Sequence, residues 1–211
     1  MSQEQLLEIL IEDVIAAGPA LLGATLTRGA MRSTIVEVEA YRRDDPACHA
    51  YLGRTPRNDV MYGPAGRAYV YFNYGVHWML NIVAHQPEDP AALLIRATKP
   101  EEGIDKMLEN RPVHDIANLL SGPGKLAQAY QITGQLTGLD LLDLDSEVHI
   151  VAAPKRVSNV FVGPRIGLAK GKWENVPWRF VDGDALQWVS RKSGLSKMLD
   201  SFPCAGLPIV N

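Results

Sequence analysis

The chain has 211 residues, 46% of them hydrophobic, which suits a single domain with a substantial core. No apolar run is long enough to span a bilayer, and the SQEQ start lacks the basic and apolar blocks of a secretory signal. A net charge of −3 gives no bulk signature of a nucleic-acid binder. The two cysteines, Cys48 and Cys204, lie outside any CxxC or Cys/His ligand spacing, which argues against structural zinc and for the reducing cytoplasm.

Ser2 followed by Gln5 reads as a capping box, opening one apolar helix through LLEILIEDVIAA that ends near Gly18-Pro19. TLTR and STIVEVEAY then form a hairpin around Gly29, and AYVYFNY and HWMLNIVAH a second one turning near Gly75. AALLIRAT follows the Pro87–Pro90 turn as another strand. Pro100 opens a helix through PEEGIDKMLEN, and Ser121 caps one running through KLAQAYQI to Gly134. HIVAA, NVFVG, WRFV and LQWV are strand-like patches. The expected architecture is one α+β domain over residues 1–211, a compact, mostly antiparallel curved sheet flanked by helices.

Charge is unevenly spread. Residues 1–20 and 136–149 each carry four acids and no Lys or Arg, and elsewhere bases outnumber acids, so a basic face is compatible with the composition. Strand alternation in IVEVEAY puts Val36, Val38 and Ala40 on one face and Glu37, Glu39 and Tyr41 on the other. The second face is either a solvated strand surface or the lining of a cleft. In AYVYFNYG, Tyr69, Tyr71 and Asn73 share a face; Tyr69 and Phe72 read as core, while Tyr74, before Gly75, falls at a hairpin tip and suits a wedge. Arg96 in an apolar strand needs an acceptor if buried, and Glu39 is the candidate; the alternative is an outward-pointing edge residue.

The ordered series EVEAY, DPACHA, GRTPRNDVMYG, AYVYFNYG, HWMLNIV, IRATKPEEG, SGPGKL, PRIG and PWRF resembles the alkyladenine (3-methyladenine) DNA glycosylase family from about Leu21 to Phe180. That resemblance implies a monofunctional enzyme of base excision repair that needs neither metal nor organic cofactor. It would act as a monomer on duplex DNA, flipping out alkylated or deaminated purines and hydrolysing their N-glycosidic bond. In that reading Glu39 activates the water, with Arg96 and the backbone carbonyl of Ile166 holding it. Tyr41 stacks on one side of the flipped base and His49 and Tyr71 on the other, while Asn81 gates against the guanine amino group. Tyr74 fills the vacated stack, and Arg57, His77, Lys125 and Arg165 contact phosphates. Glu37 shares the face of Glu39 but takes no role from the resemblance. A damage-binding protein without catalysis and a nucleosidase of small substrates are the competing readings. A phosphate-loop NTPase is excluded, because SGPGK lacks the GxxxxGK[ST] spacing.

Overall fold

In the computed structural model, which describes residues 1–198, nine strands form one antiparallel sheet. The strands are β1 (Thr25–Arg28), β2 (Met31–Tyr41), β3 (Ala68–Asn73), β4 (His77–Ala84), β5 (Ala91–Glu102), β6 (Val148–Val151), β7 (Val160–Gly163), β8 (Arg179–Asp182) and β9 (Ser196–Lys197). Their main order is β3-β4-β5-β2-β8-β7-β9. The long strand β2 is central: β5 borders it on one side, and on the other β1 pairs its first half and β8 its second. β6 extends the sheet beyond β1. The expected α+β class and both hairpins are present.

Helices α1 (Gln3–Glu12), α2 (Val14–Leu21) and α4 (Pro123–Ala129) pack on one face, where Leu6, Leu10 and Leu126 meet Ile35, Val38, Leu80 and Ile95 in the main core. α3 (Ile104–Asn110) adds Met107. The opposite face carries two smaller apolar clusters, one around Met61, Tyr69 and Ala92, the other around Val36, Ala97 and Val181. Along β5 the residues between these clusters include Leu94 and Arg96, which mark where the site forms.

Several boundaries differ from the sequence reading. The Ser2 capping box is present, with the Ser2 hydroxyl accepting from the Gln5 amide at 3.1 Å. The helix it starts stops at Asp13, whose backbone is extended (φ −155°) and whose carboxylate accepts from the Ile15 amide at 2.7 Å. Asp13 thus ends α1 and caps α2. α2 runs through Gly18-Pro19 to Leu21, and Gly18 admits β8: a Cβ there would meet the Phe180 ring at 2.3 Å. Pro100 opens no helix. It lies in β5 opposite Ser33, and α3 begins only after Gly103, whose φ of +67° and closeness to the Ala30 carbonyl oxygen (2.6 Å from a would-be Cβ) suit glycine. Gly122, not Ser121, stands at the N-cap of α4, which ends at Ala129. LQWV is not a strand; it follows a 3-10 turn at Gly183–Ala185 and folds Val189 onto the Val36 cluster.

The alternation of β2 also shifts. Ile35 faces Thr98 and Glu37 faces Ala97, so Val36 is the extra residue of a β-bulge. Val36 therefore joins the face of Glu37, while Val38 and Ala40 face the main core as expected.

Candidate active site

Residues paired across antiparallel strands project from the same face. Register pairs Tyr69 with Asn81, Asn81 with Leu94, Leu94 with Glu39, and Glu39 with Arg179. One row across five strands thus leads from an aromatic wall to a carboxylate and on to an arginine. Over it opens a cavity of about 320 Å³, lined among others by Tyr41, His49, Tyr71, Asn81, Arg96 and Ile166.

Glu39 lies just behind this lining and is fully buried. Its Oε2 accepts from the Tyr41 hydroxyl at 2.8 Å and from Arg96 at 3.1 Å, and its Oε1 accepts from the Ile166 amide at 2.7 Å. A carboxylate oxygen has two acceptor sites, so Oε1 retains one for a further donor such as water. Glu39, Arg96 and Ile166 therefore come together, although the group of Ile166 in contact with Glu39 is its N–H.

Arg96 is shared. Its Nε lies 3.4 Å from Glu37, and the Ser190 hydroxyl lies 3.4 Å from both Nε and Nη2. Glu37 in turn accepts from Arg179 (3.1 Å), the Ser190 hydroxyl (2.8 Å) and the Ser190 amide (2.6 Å). Arg179 is fully buried and also donates to the carbonyls of Pro164, Arg191 and Ser193. Two carboxylates and two guanidiniums thus alternate through the interior, each charge compensated by its neighbours. Burial pulls the Arg96 guanidinium down, and Glu39 and Glu37 more than offset it, holding it above its ordinary value. Glu37 and Arg179 carry no role in the sequence reading. The signal that flagged Arg96, an arginine inside an apolar strand, was equally present at Arg179 in WRFV.

The aromatic walls come from two places. Tyr71 on β3 meets the His49 ring edge-to-face, with centroids 4.5 Å apart. His49 Nδ1 pairs with the Tyr69 hydroxyl at 2.8 Å. Burial, then the nearby Arg57, pushes the imidazole down to about 4, so the ring is neutral at physiological pH. Burial, then Glu39, pushes Tyr71 up to about 12 and holds Tyr41 well above its usual range. Burial raises the Cys48 thiol in the wall to about 11, which disfavours a reactive thiolate. Asn81 donates Nδ2 to the carbonyls of Tyr69 (2.9 Å) and Met79 (3.3 Å), leaving its Oδ1 as the group available to a ligand.

Tyr74 is 88% exposed at the β3–β4 tip and held at φ 50°, and it lines the cavity mouth. Phe72, expected in the core, is 45% exposed and packs on Trp78. The Arg57 guanidinium lies 5.2 Å from the Tyr71 ring centre, and His77 packs on Gly124 of α4; both are exposed. Lys125 is half-buried and donates to Asn118 and Ser121. Arg165 corrects the phosphate-contact expectation. Its side chain is closed off from solvent and paired with the equally buried Asp45, so it has no surface to offer a phosphate. Among the described residues, no group of three His, Cys, Asp or Glu side chains could hold a metal ion, and no helix is long and apolar enough to cross a membrane.

The methylpurine-DNA glycosylase family matches residues 8–185. The chain is 46% identical over 162 residues to a protein of Rhodopseudomonas palustris strain CGA009, covering 77% of this chain and 76% of that one. It is 42% identical over 181 residues to one of Agrobacterium fabrum, covering 85% and 89%, and 43% identical over 161 residues to one of Nitrosospira multiformis, covering 76% and 81%. All three are named as candidate 3-methyladenine DNA glycosylases. The family match makes the open antiparallel sheet, with its buried carboxylate beside an aromatic cavity, the scaffold of a DNA-repair hydrolase that cleaves N-glycosidic bonds. The chain belongs to the methylpurine-DNA glycosylase family.

Proposed function

We propose that the protein, as a monomer, flips damaged purines out of duplex DNA, stacks each between Tyr41 and the His49–Tyr71 pair, and hydrolyses its N-glycosidic bond with a water activated by Glu39, leaving an abasic site. The substrates of this reading are 3-methyladenine, 7-methylguanine, hypoxanthine and ethenoadenine. The observation that carries it is the position of Glu39: a buried carboxylate tied by single hydrogen bonds to three residues of an aromatic cavity, with one acceptor site left on Oε1. In this mechanism Glu39 takes a proton from water, and its charge stabilises the cation that develops on the sugar as the base departs. Arg96 and Ile166 hold the carboxylate in place. Asn81 presses against the purine edge and excludes the guanine amino group, and Tyr74 occupies the gap left in the stack.

The test is single-turnover base release from a panel of defined lesions in one duplex, with free nucleosides as competitors. Wild type releases base, and the duplex outcompetes the nucleoside. Glu39→Gln keeps the side-chain volume and binds lesion DNA but loses excision by at least about a hundredfold, the lower end of general-base contributions. Near-normal excision by folded Glu39→Gln protein sinks the mechanism.

A further inference from the structure

Resting on that reading of Glu39 and Tyr41, we infer that the buried Asp45–Arg165 ion pair is a positioning clamp that sets both the hydrolytic carboxylate and the stacking wall. Two segments distant in sequence, the loop after β7 and the end of β2 with its following turn, meet at this pair. From the loop after β7, Arg165 donates to both carboxylate oxygens of Asp45, through Nη2 at 3.1 Å and through Nη1, and Nη1 also donates to the Ala40 carbonyl at 3.0 Å. From the turn after β2, Asp45 accepts at Oδ1 from the Ala47 amide at 2.9 Å, and its carbonyl accepts from Cys48, which shapes the turn that presents His49. From β2 itself, the Tyr41 ring lies with its centre 4.6 Å from the guanidinium carbon, which sits 5.2 Å from the Trp178 ring on β8's approach.

Two consequences follow for the site. Arg165 covers one side of the Tyr41 ring, so the ring has a fixed back and presents its other side to the cavity it lines. Ile166 is the next residue in the chain, and its amide is the 2.7 Å donor to Glu39 Oε1. An arginine locked by three acceptors leaves its neighbour's N–H little freedom, so the clamp delivers that donor to the carboxylate. Lys172 supports the same junction from further along the loop, donating to the Pro46 carbonyl at 2.7 Å. The planar fork is essential to this geometry: lysine keeps the charge but cannot grip two carboxylate oxygens, reach a carbonyl and stack on a ring together.

The experiment compares Arg165→Lys with a destabilising core variant remote from the cavity, Leu10→Val, well below both melting temperatures. The readouts are single-turnover excision at saturating enzyme and the fluorescence quench of a flipped ethenoadenine. Arg165→Lys is expected to lower excision on the order of tenfold to a hundredfold, the scale of a sub-ångström to ångström misplacement, and to weaken the quench. Leu10→Val is expected to lose melting temperature with neither readout changed. If Arg165→Lys does not fold, Asp45→Glu, which lengthens the other arm, is expected to give the same pattern. Wild-type excision and quench in the folded clamp variant, or losses matched by Leu10→Val, overturn the clamp. Failure of the underlying reading looks different, since then Glu39→Gln itself stays active.

Discussion

His49 shows how environment sets a residue's chemistry. Alone in a sequence it is an ordinary histidine, yet burial against Tyr69 and Tyr71, and then the nearby Arg57, push it down to about 4. In the proposed reading, a neutral ring stacks against a cationic methylated purine without repelling it. NMR titration of the imidazole is expected to place its midpoint near 4, far below the unperturbed 6.5; a midpoint at or above 6.5 contradicts the packing described. Because the folded state holds this proton more weakly than the unfolded chain, the stability tied to the neutral ring is complete above about pH 6.5. It is lost as pH falls from there through about 4. Arg96 and Arg165 make the complementary lesson in legibility. Arg96 stands in an apolar strand, so burial and a carboxylate partner could be read from alternation. Arg165 stands in a loop, where no period distinguishes a buried arginine from a solvated one, and its partner lies 120 residues away.

At the scale of elements, the β3–β4 hairpin is the clearest case of sequence determining shape. Its tip turns through Tyr74 and Gly75, both at positive φ, and the Val76 amide donates back to the Asn73 carbonyl at 3.0 Å. A tyrosine held left-handed and 88% exposed costs backbone strain and recovers little burial, a combination that fits the proposed wedge. Tyr74→Ala is expected to slow excision in a fully paired duplex, where unstacking costs on the order of a few kcal/mol, and to slow it less at a lesion in a mismatch. Equal losses in both contexts, with flipping undiminished, remove the wedge role. Other elements depart from their local pattern where a side chain or a partner strand overrides it. Asp13 cuts one apolar run into two helices by capping the second, and β2 draws Pro100 into a ladder opposite Ser33, between Lys99 opposite Thr34 and, past an irregularity at Glu101, Glu102 opposite Arg32.

At the scale of the described molecule, one block of acidic charge is set apart from the cavity. The exposed acids Glu4, Glu8 and Glu12 lie on α1, and Gln3 of that helix bonds the carbonyls of Leu142 and Ile150, so the acidic segment 140–147 adjoins it. α1 packs on the helical face of the sheet, whereas the cavity opens on the other, with exposed Arg57 beside Tyr71. A negative chain can bind a polyanion when its acids are gathered elsewhere. Lesion-DNA affinity is therefore expected to fall steeply with salt, and Arg57→Ala to reduce the log–log slope by about 1. An unchanged slope means that Arg57 meets no phosphate. The sheet's class and the Glu39–Tyr41 face were legible because period-two alternation survives in the second half of β2. The five-strand row was not, because register is set by pairing between strands far apart in sequence.

The bulge at Val36 has an arithmetical consequence. Before it, the odd-numbered residues Met31, Ser33 and Ile35 point to the helical side; after it, the even-numbered Val38 and Ala40 do. The strand changes phase once, and the two glutamates emerge on the cavity side only because of that half-step. Adding or removing one residue between the Gly29 turn and Glu37 would reverse the parity and drive both carboxylates into the hydrocarbon under α2. The length of this segment is a counted quantity, as inflexible as the spacing of a gear tooth.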